Sequence, residues 1–349
     1  MHKFHVLSSE AFREYKKEWD RLAARNGSIS PVLHSDFFEV ALQHFSHSRV
    51  KLLVAEESGS PIMIALVEPG KIGRWRTFSP AQLLVSSFVT SSEYVPPAFL
   101  AQLFRALSHP QYSFSFMYHD VLLQAGIDPS WKYCDSSIHA TTISIDMNQT
   151  FSDYWAARKK KLRYNLKRYM KKINQKFSSI EICGVSDQEG ISLAVDQYGG
   201  LESKGWKGRE GTALHKDNTQ GRFYSELLER FATRGAARVY QLKFDDMLVG
   251  SRLCIINDRS LVFLKTTFDE NYSTYAAGRI LLFLSLEKLF DEEDLDVAEF
   301  YTNADANQKQ WGTHSREIRH LTAYSGKWSW TANSLKQRVV NQSIRKKSL

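Results

Sequence analysis

Hydrophobic positions recur with helical spacing in several stretches and with alternating spacing in others, and the two kinds of stretch interleave along the chain. Phe12, Tyr15, Trp19 and Leu22 fall on one face of a helix predicted over Glu10 to Ala24, and a second helix is predicted over Ser35 to Phe45. Extended segments follow at Val50 to Ala55, Ile62 to Val67 and Arg74 to Phe78, the first two divided by the turn residues Glu57-Ser58-Gly59. A helix at Pro97 to Leu107 and strands at Tyr112 to Tyr118 and Thr141 to Ile145 complete this half.

The second half opens on an amphipathic helix, because Phe151, Trp155, Leu162, Leu166, Tyr169 and Ile173 recur at helical spacings and Thr150 or Ser152 can cap its start. A strand (Ser179 to Cys183), a helix (Asp187 to Leu201), a glycine-rich loop (Gly205 to Gly211) and a helix (Asn218 to Thr233) come next. Three strands then run in sequence, Val239 to Phe244, Leu248 to Ile256 and Leu261 to Thr267, joined by the tight-turn pairs Asp245-Asp246 and Asn257-Asp258. Gly278 introduces a helix over Arg279 to Phe290, followed by extended segments at Asp296 to Tyr301 and Glu317 to Tyr324. Laid side by side, Val50 to Phe78 and Val239 to Thr267 share turn spacing without sequence identity, the pattern of a degenerate duplication. The expected divisions are 1–148, 149–330 and a basic tail, 331–349. Only the second copy has a glycine-led helix directly after its meander, so chemistry is expected there.

Composition changes this picture little: 43% hydrophobic and 24% charged residues over 349 positions describe a folded chain with ample core. Charge changes it more. The net +8 is concentrated in Arg158 to Lys172, where Arg158, Lys159, Lys160, Lys161, Arg163, Lys167, Arg168, Lys171 and Lys172 occur without one acid. The remaining 37 basic and 38 acidic side chains leave −1, so one cationic helix sits on a near-neutral body. Its readings are a solvated face, capture of cofactor or RNA phosphates, or attraction to an anionic membrane surface. Because the cations surround the helix and Trp155 and Tyr169 lie on its apolar side, RNA binding is expected to be weak and non-specific at most. No stretch is apolar enough for a signal peptide or a spanning helix, so a cytoplasmic location, with peripheral membrane contact as an option, is expected. Cys134, Cys183 and Cys254 lie far apart and read as buried free thiols, and the histidines show no metal-ligand spacing, so no metal is expected.

GxSxG, Walker A, HExxH and a strand-linked GxGxxG are all absent. What remains is strand, loop, Gly278 and helix, a start with open N–H groups suited to an anion. Lys265 interrupts an apolar strand, sharing its period-two face with Leu261 and Phe263, and there it snorkels or meets an anion. Asp269 and Glu270 come just after the strand end, where a carboxylate can accept a proton.

The stretch Leu201-Glu202-Ser203-Lys204-Gly205-Trp206-Lys207-Gly208-Arg209-Glu210-Gly211-Thr212-Ala213-Leu214, then Phe223-Tyr224, Lys265-Thr266-Thr267-Phe268-Asp269-Glu270, Gly278 and Leu281-Leu282, resembles acyltransferases associated with cellulose and exopolysaccharide biosynthesis. These are similar in turn to the Fem peptidyltransferases and belong to the GNAT superfamily. The resemblance spans about Ser152 to Trp311. It departs at Ala276-Ala277-Gly278, where the family has Ser-Pro-Gly, and at Asn303 to Lys309 followed by Trp311, where it has Gly-x-x-x-Tyr-Lys. The GNAT pyrophosphate signature Gln/Arg-x-x-Gly-x-Gly/Ala is missing.

The resemblance implies an α/β fold of tandem GNAT-like halves, with mixed, mostly antiparallel sheets flanked by helices. It implies acyl transfer from acyl-CoA to an amine or hydroxyl of a sugar, lipid-base or cell-surface precursor. The donor's pyrophosphate would meet Ala277, Gly278, Arg279 and Ile280, with donor contacts from Lys161 and Arg163, the latter falling with Asn165 where related enzymes carry an Arg-x-Asn element. Lys265, Asp269 and Glu270 would be catalytic, and Tyr301 would protonate the departing thiolate. Glu202, Trp206 and Lys207 would face the acceptor. The alternatives are a Fem-type transferase using aminoacyl-tRNA and a non-enzymatic nucleic-acid-binding module built on 158–172.

Overall fold

The computed structural model describes residues 3–24, 27–71, 73–107, 112–205, 213–215 and 217–333. Strands are Lys3–Ser8 (β1), Lys51–Glu57 (β2), Ser60–Pro69 (β3), Arg74–Thr77 (β4), Phe88–Thr90 (β5), Tyr94–Val95 (β6), Ser113–Asp120 (β7), Gly126–Ile127 (β8), Cys134–Asp146 (β9), Ile180–Val185 (β10), Ala237–Phe244 (β11), Met247–Asn257 (β12), Ser260–Phe268 (β13), Val297–Glu299 (β14) and His314–Tyr324 (β15). Helices are Phe12–Ala23 (α1), Ser35–Phe45 (α2), Pro97–Ala106 (α3), Phe151–Ala156 (α4), Lys160–Asn174 (α5), Gln188–Lys204 (α6), Thr219–Ala232 (α7) and Ala277–Glu292 (α8).

The chain forms two compact units, and neither is a single stretch. The first comprises Met1–Arg25, Ser46–His139 and Glu317–Leu349, the second Asn26–Phe45 and Ala140–Arg316. Each therefore draws on both sides of the division expected at 148/149. In the second, α2 packs on α7 through aromatic contacts such as Phe37 to Phe223 (5.9 Å between rings).

In the first unit β1, β2, β3 and β4 pair antiparallel in order, β4 continues parallel to β7, and β7 pairs antiparallel with β15. Its core sets Leu53, Ala65 and Phe114 of the strands against Phe99, Leu100 and Leu103 of α3. Strand β1 is an addition to the sequence reading, and none of its positions is fully buried.

The second unit has the order β9, β14, β13, β12, β11, β10, antiparallel except for the parallel pair β13 and β14. Helices α6 and α7 cover one face and α8, backed by α4 and α5, the other. Two β-bulges shape the middle strands. Val249 is extra on β12, between the pairs Leu242–Gly250 and Lys243–Leu248, and Leu264 is extra on β13, between Leu253–Lys265 and Cys254–Phe263.

The basic stretch is broken where one amphipathic helix was expected. Thr150 caps α4, its side chain accepting from Asp153 N, but Arg158 turns back to donate to the carbonyls of Trp311 (3.1 Å) and Gly312 (2.7 Å). Lys159 is then extended (φ −56°, ψ 135°) and α5 starts anew. The aromatics Trp155 and Tyr169 do pack on the core beneath.

Of the cysteines only Cys254 is buried, and Cys134 is exposed, against the expectation of three buried thiols. Burial pushes the Cys254 thiol up to about 12. Alkylating the folded protein should therefore mark Cys134 and spare Cys254 until denaturant is added. Peptide mapping that found Cys254 modified in the folded state would contradict its place in the core.

Candidate active site

The parallel strands β13 and β14 stay together only at Ser260–Val297, Leu261–Ala298 and Val262–Glu299. Beyond Val262, β13 runs on to Phe268, whereas β14 ends at Glu299. The two strands thus open a gap at their C-terminal ends, with the Phe263 and Phe300 rings (4.8 Å between centroids) at its base. Tyr301, the second residue past β14, is held at φ +43°, a strained setting for a non-glycine residue. Arg316 lies over its ring at 5.2 Å and donates to both oxygens of the buried Glu299 carboxylate (3.0 and 2.8 Å).

The bulge at Leu264 corrects the position of Lys265. Regular alternation would put Lys265 on the face of Phe263, but the extra residue moves it to the opposite one. Phe263 packs in the core under α8, and Lys265 Nζ lies 5.4 Å from the Tyr224 ring of α7. A strand cation is thereby carried into the polar interior between sheet, α6 and α7. Glu202 is buried there, one oxygen accepting from the Tyr198 hydroxyl (3.3 Å) and the other from Leu214 N (2.8 Å). Burial and then the Glu202 carboxylate push both the Tyr198 and Tyr224 phenols up, so they are neutral donors at ordinary pH.

Two helix glycines explain how the segment around Leu214 enters this site. A Cβ on Gly199 of α6 would stand 2.6 Å from the Leu214 carbonyl oxygen, and one on Gly221 of α7 would stand 1.9 Å from that of His215. Asn218 adds a bond from Nδ2 to the Ala213 carbonyl (2.7 Å). Residues 213–215 are therefore fixed by backbone approach, with Glu202 as their side-chain tie. Trp206 and Lys207 lie outside the described residues.

After β13, Asp269 caps a turn of 3-10 helix (Glu270–Tyr275), its carboxylate accepting from Asn271 N at 2.9 Å. Glu270 comes close to the end of α6: a Cβ built on Gly205 would lie 3.2 Å from its Oε1. Ala276, left-handed at φ +54°, then starts α8. Arg279 and Ile280 N–H are both taken by the Ala276 carbonyl (2.8 and 3.1 Å), contrary to the expectation of four open donors. Ala277 and Gly278 N–H have no backbone acceptor among the described residues. A helix satisfies its own donors from the fourth residue onward, and here the third is bound as well.

Lys161 and Arg163 are exposed on α5. The α5 cation that reaches the turn before α8 is Lys172, which donates to the Thr274 carbonyl (3.3 Å) and lies 4.9 Å from the Tyr275 ring. At about 1.5 Å per residue, Lys161 and Arg163 stand roughly 16 and 14 Å further along the axis. Arg163 instead lines a groove of about 560 Å³ with Lys160, Lys167, Trp155 and Phe283.

A parallel strand pair that opens after three residue pairs, a bulge on the longer strand and a helix start beyond it together define a recognisable arrangement. Residues 160–310 match the family described as an acetyltransferase (GNAT) domain. Among solved structures, FemX is 8% identical, covering 88% of this chain and 95% of its own at a TM-score of 0.55. The C-terminal domain of a protein described as a lysylphosphatidylglycerol synthetase from Agrobacterium fabrum is 11% identical, with 94% and 97% coverage and a TM-score of 0.54. L-PGS from Bacillus licheniformis is 9% identical, with 91% and 92% coverage and a TM-score of 0.52. No curated protein matches the sequence. The fold is thus the α/β arrangement of GNAT-like halves expected from the sequence, with mostly antiparallel sheets flanked by helices.

In the second unit, the features that the sequence reading does not include are Arg252, the Glu299–Arg316 pair, Tyr224 as a partner of Lys265, and Lys172 as the cation beside the α8 start. An arginine in the mostly apolar run Leu248 to Ile256 is a signal of the same kind as Lys265 in its strand. Among the described residues no cluster of histidine, cysteine and acidic side chains is suited to a metal, and no helix is long and apolar enough to cross a membrane.

Proposed function

We propose that the chain transfers an acyl group from acyl-CoA to an amine or hydroxyl of a sugar, lipid-base or cell-surface precursor. The observation that carries this reading is the gap between β13 and β14, which leaves one edge of β13 open beside the start of α8 in a region that matches an acetyltransferase domain. A thioester laid along that edge would receive strand N–H groups at its carbonyl, which stabilise the oxyanion of the tetrahedral intermediate. The acceptor nitrogen forms its bond to the carbonyl carbon as Asp269 or Glu270 takes its proton, directly or through water. The C–S bond then breaks, and the Tyr301 hydroxyl supplies the proton to the departing thiolate. Lys265 contributes positive charge on the acceptor side, and the pyrophosphate is received by the N–H groups of Ala277 and Gly278 with Lys172 nearby. The resemblance to exopolysaccharide-associated enzymes points the acceptor toward a glycan or its precursor.

The second reading, aminoacyl transfer from tRNA, is favoured by the nine cations of 158–172 and by the fold shared with FemX and the lysylphosphatidylglycerol synthetases. Thiol release from acyl-CoA in the absence of RNA separates the two.

The helix start is tested with two substitutions. A Cβ on Gly278 would meet the Phe268 ring at 3.0 Å, so Gly278→Ala measures that crowding and Gly278→Asp adds a negative charge to it. CoA should raise the melting temperature of the wild type and of Gly278→Ala and leave folded Gly278→Asp unchanged. An equal shift in all three would remove the pyrophosphate from this helix.

A further inference from the structure

Arg252 sits on β12 opposite Thr266 of β13, at a level where β14 has already left the sheet. Its residue is 4% exposed, and its Nε and Nη1 have no hydrogen-bond partner. The acidic side chains buried in this unit, Glu202 and Glu299, are both engaged elsewhere; among the described residues no carboxylate pairs with Arg252. Burial lowers the guanidinium only to about 10, so it stays charged at neutral pH.

A guanidinium kept in a core for structural reasons has its donors answered by carboxylate or carbonyl oxygens, because the planar fork is costly to strip of water. Here the Phe263 ring covers one face of the fork, 4.5 Å from Cζ. A ring face satisfies the charge in part and the N–H edges not at all. Phe263 is the same ring that meets Phe300 at the base of the gap. An aromatic pair beside an unanswered planar cation suits a short carbon chain that ends in a carboxylate, the group whose two oxygens match the fork.

We propose that Arg252 binds the terminal carboxylate of the acyl group carried into the gap between β13 and β14, so that the preferred donor is the thioester of a dicarboxylic acid. This rests on the acyl-thioester reading of the site. It adds a specificity residue that touches the donor's far end and takes no part in the acyl step itself.

Isothermal titration of the full chain with CoA, butyryl-CoA and succinyl-CoA tests it, together with thermal shifts in free succinate, for the wild type and Arg252→Met. The substitution keeps side-chain length and removes an unpaired buried charge, a change that cores tolerate. Succinyl-CoA should bind the wild type at least ten-fold more tightly than butyryl-CoA, and Arg252→Met should erase that preference while leaving CoA affinity unchanged. Equal or weaker binding of succinyl-CoA to the wild type overturns the proposal with or without a folded variant, and leaves acyl-CoA use standing. If no CoA compound binds but succinate stabilises the wild type alone, the carboxylate site stands and the acyl-CoA reading falls. Silence from every ligand removes both.

Discussion

Lys265→Ala and Asp269→Asn should each lower turnover with acyl-CoA by about 10²-fold or more, the range for losing a charge-stabilising or proton-accepting group. The structure makes the pair informative. Asparagine retains the oxygen that accepts from Asn271 N, so Asp269→Asn keeps the cap of the turn before α8 and removes only the charge. Lys265 is half-buried beside Tyr224, and its removal leaves the strand register to Leu253 intact, so lost activity with an unchanged melting temperature would locate chemistry on this face. Glu229→Gln on α7 is the control, since glutamine still accepts from Ser225 at Oε1. Full activity in both active-site variants would place the reaction elsewhere than the end of β13.

Gly221→Ala should be the most damaging small substitution in the second unit, costing about 3 kcal/mol, the upper range for overpacking. The added carbon would stand 1.9 Å from the His215 carbonyl oxygen and 2.4 Å from its carbon, and backbone cannot step aside as a side-chain tip can. By contrast Gly200, the neighbour of Gly199 on α6, has open space where a Cβ would go, so Gly200→Ala should be stabilising by up to about 1 kcal/mol in this helix. Chemical denaturation of both variants measures the difference directly. A Gly221→Ala protein as stable as wild type would mean that His215 is not held where the structure places it.

The middle strands of the second unit are legible because their apolar runs are bounded by turns that carry Asp-Asp and Asn-Asp pairs, and Asp245 and Asp258 do take left-handed conformations there. The bulge at Leu264 was not, since an extra residue in an apolar strand leaves hydropathy unchanged while exchanging the faces of the residues beyond it. The break between α4 and α5 was hidden for a related reason: Arg158 ends the first helix through carbonyls of Trp311 and Gly312, more than 150 positions away. The place of Gly278 before a helix suggests an anion seat. Its neighbour Phe268 shows that close packing alone also asks for glycine. Arg252 stands out in its apolar run, but that its donors lack acceptors depends on which partners are near, and no sequence pattern carries that.

The interleaving of the two units has a consequence for how the protein is made. Helix α2 buries Phe37, Phe38, Val40 and Ala41, and the surface it packs on, α7, begins at Thr219. At roughly 5–20 residues per second on the ribosome, the intervening 170 or so positions take about 10–35 s to emerge. Throughout that time α2 lacks the helix it packs on, and the first unit waits longer still for β15 to supply its last strand. The nascent chain thus carries the uncovered apolar face of α2 until α7 emerges and an incomplete first unit until β15 emerges, so yield in cells should depend on chaperones that shelter such segments more than on the stability of the finished fold.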